Sequence, residues 1–343
     1  MKITFLEDSF AYDADTPAQR PMGGFEKGVV GLACALAERG HTITVVNKRE
    51  DQRESGGVQW LPWSAYQPGE TDVVVALRKP VLLAEAGSPN RSLLWVGAHA
   101  GYLSKPDTQS LLDRYDPTLL FLGNAHFDTW KPWKKFRASI IAPGINAAFQ
   151  GAGDVAPAAR APRAIITTHP LRGLGGLLDA WQEDIHPEAA NATLCIYSAA
   201  LAKGLRGDPA SEKLQPLLDR LKGLDAEGIV VLPPGNDREM AEAYQNAALH
   251  LYPRIEKEVY CATLAESQAC GLPAVAMTTP ATSERVQNGQ TGFLVHNRAT
   301  LASTTLRILT DEATRIRLAR DAEMLQGGRS WARAALEFET LCS

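Results

Sequence analysis

The chain has 343 residues, 45% of them hydrophobic and 22% charged; this excludes a disordered or fibrous protein, and at about 100 to 200 residues per domain it fits two domains with a cleft between them. Lys and Arg number 35 against 39 Asp and Glu, a formal net charge of −4 with no strongly basic half. Nucleic acid is therefore not an expected partner, because its binding rests on a cationic field.

Residues 2–6 read as a strand, and Glu7-Asp8 interrupt it too early for the apolar region of a signal peptide. No later apolar run reaches the roughly 18 residues of a spanning helix, so a cytoplasmic location is expected. A polar loop runs to Met22; Val29, Ala33, Leu36 and Ala37 then recur at helical spacing over 23–39, Gly40 closes the helix, and 42–46 is the next strand. Further strands are expected at 72–77, 92–96, 119–122 and 140–142, and such continuous apolar runs between helices suit a parallel sheet covered on both faces. From 144 to 162 the chain is Gly-, Ala- and Pro-rich without periodicity, which is linker chemistry and places a domain boundary.

The alternation then restarts. Strands are expected at 164–168, 193–197, 229–232, 248–252 and 274–277, and helices at 173–183, 212–224 and 263–270, with another opened by Asn236 and Glu239 at capping-box spacing. A helical tail over 300–341 is long enough to pack back across both domains. The expected fold is α/β, with two doubly wound domains over 1–150 and 151–325 and a C-terminal helix over 326–343. The five cysteines are scattered without a C-x-x-C, and the histidines form no H-E-x-x-H, so no disulfide framework or structural metal is expected.

In open α/β sheets ligands bind outside the carboxyl ends of strands, where helix N-termini present N–H groups suited to phosphate. Gly23-Gly24 open the first helix, where a missing side chain lets a ligand approach the backbone; the pair could equally serve a loop that needs a positive φ. The stretch Glu258-Val259-Tyr260-Cys261-Ala262-Thr263-Leu264-Ala265-Glu266 separates two carboxylates by seven residues. Glu266 sits among apolar neighbours, a costly placement unless something satisfies it. The amides of Val259, Tyr260, Cys261 and Ala262 are candidates for phosphate and the two carboxylates for sugar hydroxyls. The plainer alternative makes Glu258 a solvated loop charge and Glu266 an exposed helix residue.

The run from Pro253 to Val275, with Glu258, Glu266 and Glu266-Ser267-Gln268-Ala269-Cys270-Gly271-Leu272-Pro273-Ala274-Val275, resembles the E-x7-E segment and following EA-x-A-x-G-x-P-V of the GT4-family retaining glycosyltransferases, which have the GT-B fold. Gly23-Gly24 with Gly40-His41-Thr42-Ile43-Thr44-Val45-Val46, Pro143-Gly144-Ile145-Asn146, and Glu284 through Gly289 to Gly292-Phe293-Leu294-Val295 are similar to three further motifs of that family, in the same order. The resemblance implies two Rossmann-like domains facing across a cleft, the first binding an acceptor and the second a UDP- or GDP-sugar. It implies a metal-independent, hexosyltransferase-type reaction with no cofactor beyond the nucleotide sugar. By the same resemblance Glu266 holds ribose hydroxyls and Glu258 those of the transferred sugar. Arg172 and the amides of 259–262 stabilise the leaving diphosphate, and acceptor attack occurs on the same face. Gly23 and Gly24 count among the donor-binding residues.

One departure concerns the diphosphate clamp. Where the family carries an Arg and then a Lys-Gly, this chain has Thr168 and Arg172-Gly173, so one cation is replaced by a hydroxyl, a weaker clamp. His99 is the candidate for a histidine that family members carry near the transferred sugar, with His126 as the alternative. A nucleotide-sugar hydrolase or epimerase of the same fold, and a nonenzymatic nucleotide-sugar binder, are the competing classes. Finally, Trp130-Lys131-Pro132-Trp133-Lys134-Lys135-Phe136-Arg137 interleaves aromatics with cations. That pattern fits peripheral contact with an anionic membrane and an acceptor in cell-envelope glycan or glycolipid synthesis. A capped helix end with core tryptophans and a solvated basic face is the plain alternative.

Overall fold

The computed structural model describes residues 1–69, 71–151 and 160–342; residues 152–159 of the expected linker lie outside them. The chain divides into two units. The first holds Met1–Asn146, Lys257–Tyr260 and the segment from Arg329 onward, and the second holds Ala147–Glu256 and Cys261–Gly328.

Among the described residues the first unit carries β1 (Lys2–Leu6), β2 (Thr42–Asn47), β3 (Arg53–Ser55), β4 (Val58–Pro62), β5 (Val73–Leu77), β6 (Arg91–Trp95), β7 (Thr118–Phe121) and β8 (Ala138–Ile140), in the order β3-β4-β2-β1-β5-β6-β7-β8. Phe5 of β1 pairs with Val45 on one side and Val75 on the other, and the strand order reverses between β1 and β5. Every ladder is parallel except β3–β4. That antiparallel edge corrects the all-parallel expectation: Gly56 and Gly57 take φ of 60° and 70°, the left-handed pair that closes a two-residue hairpin. A short helix, Thr16–Gln19, also interrupts the expected polar loop.

Helix α1 (Gly24–Glu38) buries Val29, Val30, Leu32, Ala33 and Leu36, and Gly40, at φ 86°, ends it in the left-handed conformation that a glycine adopts cheaply.

The second unit carries β9 (Arg163–Ile166), β10 (Thr193–Tyr197), β11 (Ile229–Leu232), β12 (Leu249–Tyr252), β13 (Ala274–Met277) and β14 (Gly292–Val295), ordered β11-β10-β9-β12-β13-β14 among the described residues. All its ladders are parallel, and the order reverses between β9 and β12. The crossover helices include α2 (Leu174–Ala180), α3 (Asp237–Gln245) and α4 (Ala262–Ala269), and Leu177, Leu178, Trp181 and Leu218 pack with the strands into one core.

The helical tail consists of Arg298–Thr310, Glu312–Gln326 and α5 (Trp331–Cys342). The breaks follow from Asp311, whose side chain caps the second helix by accepting from Thr314 N, and from Gly327-Gly328. Helix α5 belongs to the first unit. The Phe338 ring is buried 6.3 Å from that of Phe5, and Glu339 accepts from Arg39 Nε and Nη2, each at 2.7 Å, and bonds His41 Nε2 at 2.7 Å. No described helix is long and apolar enough to cross a membrane.

Trp331 lies on Gly31 of α1, where a Cβ would stand 2.2 Å from its indole. Overpacking of this kind costs about 1–3 kcal/mol. Gly31→Val is expected to lower the denaturant midpoint accordingly, with the slope of the transition kept; an unchanged midpoint would mean that the indole does not occupy this notch.

Candidate functional site

In the second unit the reversal between β9 and β12 leaves two loops side by side at the carboxyl edge, the place where such sheets bind ligands. The β9 loop runs through Thr167, Thr168, His169 and Arg172 to Gly173. Arg172 N donates to His169 O at 2.8 Å, and Leu171 N donates to His169 Nδ1 at 3.3 Å. Burial and then the Arg172 charge lower the His169 pKa. Gly173 has φ 85°, and a Cβ there would meet Pro253 at 2.7 Å, so only glycine lets the two loops approach this closely. Arg172 is exposed. Thr168 is 9% exposed, and its buried Oγ1 has no hydrogen-bond partner among the described residues.

The β12 loop enters α4 through Cys261, a buried non-glycine residue at φ 58°. Glu266 follows on α4, 9% exposed among Leu264, Ala265 and Gln268, which corrects the alternative of an exposed helix residue. Burial, followed by the Glu266 charge, pushes the Tyr244 hydroxyl well above its ordinary pKa of 10, so the carboxylate lies within electrostatic reach of that ring. The capping box of α3 is formed, with Glu239 N donating to Asn236 Oδ1 at 3.0 Å and Asn236 N to Glu239 Oε2 at 2.8 Å.

Glu258 belongs to the first unit and is half-buried. Its Oε1 accepts from Val259 N at 3.0 Å and Tyr260 N at 3.1 Å. The two amides expected to face phosphate are thus bonded to the carboxylate of the residue immediately before them. His126 is fully buried; Leu122 N donates to its Nδ1 at 3.1 Å, and its Nε2 bonds Ala98 O at 2.8 Å. With both nitrogens engaged it is a scaffold residue, not the accessible histidine the alternative required. His99 is half-buried and caps the short helix Ala100–Ser104, its Nδ1 accepting from Gly101 N at 3.2 Å. His126 feels the charges of both His99 and Glu258, so the first unit gathers these residues in one region.

Gly23 has φ −66° and Gly24 begins α1, so neither serves a positive φ. A Cβ on Gly23 would stand 2.4 Å from Glu26 Oε2; its small size makes room for a carboxylate.

That carboxylate leads to residues the sequence reading passed over. Glu26 pairs with Arg78, whose guanidinium lies 4.3 Å over Phe25 and whose backbone is left-handed at φ 65°. Tyr102 donates to Arg78 O at 2.6 Å. Glu7 is buried and accepts from Ser9 N at 3.0 Å and Ser9 Oγ at 2.8 Å, with burial raising its pKa. These groups stand at the carboxyl ends of β1 and β5, the reversal point of the first sheet. The available signal was charge placement: Glu7-Asp8 and Arg78-Lys79 follow directly on apolar strands.

In the aromatic and basic run, Trp130 is buried against Phe121 and Phe136, while Trp133 is 37% exposed. Lys134 pairs with Asp113 at 2.6 Å and Arg137 with Asp116 at 3.0 Å, and Lys131 and Lys135 are exposed. Among the described residues no group of three His, Cys, Asp or Glu side chains is placed to hold a metal ion.

Residues 165–311 match the family model for glycosyl transferases group 1, and the stretch from Glu258 to Glu266 falls inside them. D-inositol 3-phosphate glycosyltransferase of Corynebacterium efficiens is 27% identical over 221 residues, 60% of this chain and 51% of that protein; the chain thus spans about half the length of this relative. Sucrose-phosphate synthase of Thermosynechococcus elongatus superposes with a TM-score of 0.74 at 15% identity, covering 99% of this chain and 98% of the other. HepE of Anabaena, solved with UDP and glucose, gives 0.71 at 15% identity and 99% of each chain. The fold is GT-B, and the GT4-like resemblance read from the motifs is borne out.

Burial holds the His126 pKa down at about 4, below the ordinary 6.5, so the folded state favours the neutral ring. The stability tied to that preference is complete above pH 6.5 and is lost as pH falls toward about 4. The thermal midpoint is expected to fall across this window. His126→Gln, which keeps an Nε–H donor and does not titrate, should flatten the fall; an identical slope in calorimetry would remove His126 as its source.

Proposed function

We propose that the chain is a glycosyltransferase that moves a sugar from a nucleotide-sugar donor to an acceptor hydroxyl, retains the anomeric configuration and works without a divalent metal. The observation that carries this reading is the nearly buried Glu266 carboxylate at the strand reversal of the unit that matches the family model. The carboxyl edge at a strand reversal is where such sheets bind ligands, and a carboxylate there accepts from the hydroxyls of a bound molecule.

In this reading the second unit holds the donor. Arg172, the Thr168 hydroxyl and the amides of Cys261 and Ala262 serve the diphosphate, and Glu266 serves the ribose. Charge grows on the diphosphate as the glycosidic bond breaks, so preorganised donors there lower the barrier most. They supply the neutralisation that a divalent ion supplies in other enzymes. Glu258 and His99 are assigned to the transferred sugar and the acceptor, in the first unit. His99 Nδ1 is committed to the Gly101 amide, which leaves Nε2 as its donor to a hydroxyl. Retention follows from attack on the face the diphosphate leaves, with a diphosphate oxygen taking the acceptor proton. UDP and glucose in the HepE structure make UDP-glucose the first donor to test.

Glu266→Ala is expected to lower kcat/KM by about 100-fold with the fold intact, the equivalent of two charge-assisted hydrogen bonds of about 1.5 kcal/mol each. Activity should persist in EDTA. Release of free sugar without an acceptor would instead indicate a hydrolase, and binding without turnover a sensor.

The exposed Trp133, Lys131 and Lys135 support peripheral contact with an anionic membrane and a lipid-linked or envelope-glycan acceptor. Co-sedimentation with phosphatidylglycerol vesicles should be visible at low salt, fade as salt rises, and vanish in a Lys131→Ser, Trp133→Ser, Lys135→Ser variant. Failure to sediment at low salt would favour an acceptor free in water.

A further inference from the structure

His250 lies in the middle of β12, fully buried, between Leu249 and Leu251. A polar ring at the centre of a parallel sheet is destabilising unless both nitrogens are bonded, and here both are. Nδ1 is 2.8 Å from Ser267 Oγ on α4, and Nε2 is 3.1 Å from Thr167 Oγ1 in the β9 loop. Ser267 commits its proton to Leu264 O at 3.2 Å, so Nδ1–H donates to Ser267 and Thr167 donates to Nε2. Tyr244 stacks on the ring at 5.8 Å and Tyr252 meets its edge at 5.9 Å. Burial keeps the ring neutral, its pKa down at about 3, so this pattern is the same at every working pH.

The two ends of this chain of bonds are the two elements of the proposed donor site. Ser267 is the neighbour of Glu266, and Thr167 is the neighbour of Thr168. Apolar packing is non-directional and leaves a loop free to slide; a hydrogen bond at 3.1 Å to a β-branched side chain with few rotamers fixes its χ1 and, with it, the local backbone. The next hydroxyl along, Thr168 Oγ1, is buried without a hydrogen-bond partner among the described residues, the state of a group held for a ligand.

We infer that His250 is a positioning residue: it registers the Thr167–Thr168 loop against the helix carrying Glu266, and so presents the Thr168 hydroxyl to the donor phosphates in place of a second cation. The inference rests on the donor-site reading above.

The test is nucleotide binding by calorimetry with UDP, GDP and ADP, followed by comparison of the best diphosphate with its parent nucleoside. Thr167→Val keeps the shape of the side chain and removes its bonds to His250 and to the Tyr244 hydroxyl, and His250→Asn separates the two. Thr167→Val should weaken the diphosphate about 10-fold and the nucleoside by less than 2-fold, one hydrogen bond's worth. Thr167→Ser should restore binding, and His250→Asn should reproduce the loss wherever it folds. Thr167→Val added to Thr168→Val should cost no more than Thr168→Val alone, because the first acts through the second. Diphosphate and nucleoside weakening together, or full additivity, would overturn the inference and leave His250 as a stability residue. Wild-type protein that binds none of the three diphosphates would overturn the donor-site reading itself, an outcome visible before any variant is made.

Discussion

A parallel sheet whose strand order reverses opens a gap at its carboxyl edge that no crossover helix can cover, and both units place their unusual side chains at that gap. In the second sheet the gap lies between β9 and β12, flanked by Thr168, Arg172 and the segment leading to Glu266. In the first it lies between β1 and β5, flanked by Glu7 and Arg78. The rest of the architecture serves to hold these edges still: Gly173 lets one loop touch Pro253, and Gly97 leaves space for Phe25 and Arg78, into which a Cβ would intrude at 2.5 Å and 2.8 Å.

Stillness at both edges depends on polar groups buried where apolar ones would be less costly. His126 ties the end of β7 to Ala98 in the loop after β6, and His250 ties β9 to α4 through β12. Each histidine has both nitrogens bonded, so the desolvation cost is offset, and each lies one residue or one shell away from a group assigned to chemistry. Directional bonds fix an angle as well as a distance, which packing alone does not.

Much of the fold was legible because a doubly wound domain announces itself locally: β10, β11 and β13 lie where their apolar runs predict, and the Asn236–Glu239 capping box formed as spaced. The β3–β4 hairpin was missed although Gly56-Gly57 is its turn signal, because β3 is only three residues long and entirely polar. Spacing alone singled out Glu258 and Glu266 as candidates. What spacing could not reveal was that the Glu258 carboxylate already binds its own downstream amides, or that Glu26 and Arg78, 52 residues apart, converge on one another. Such pairings are products of topology, and no short window of sequence contains both partners.

The C-terminal helix has a consequence for how the molecule is made. Phe338 completes the core beside Phe5, and Trp331 fills the notch at Gly31. Synthesis proceeds from the N-terminus, so the first unit to leave the ribosome is the last to finish packing. It must wait, with its notch open, for a segment that follows the whole of the second unit, which by then holds everything its own sheet requires.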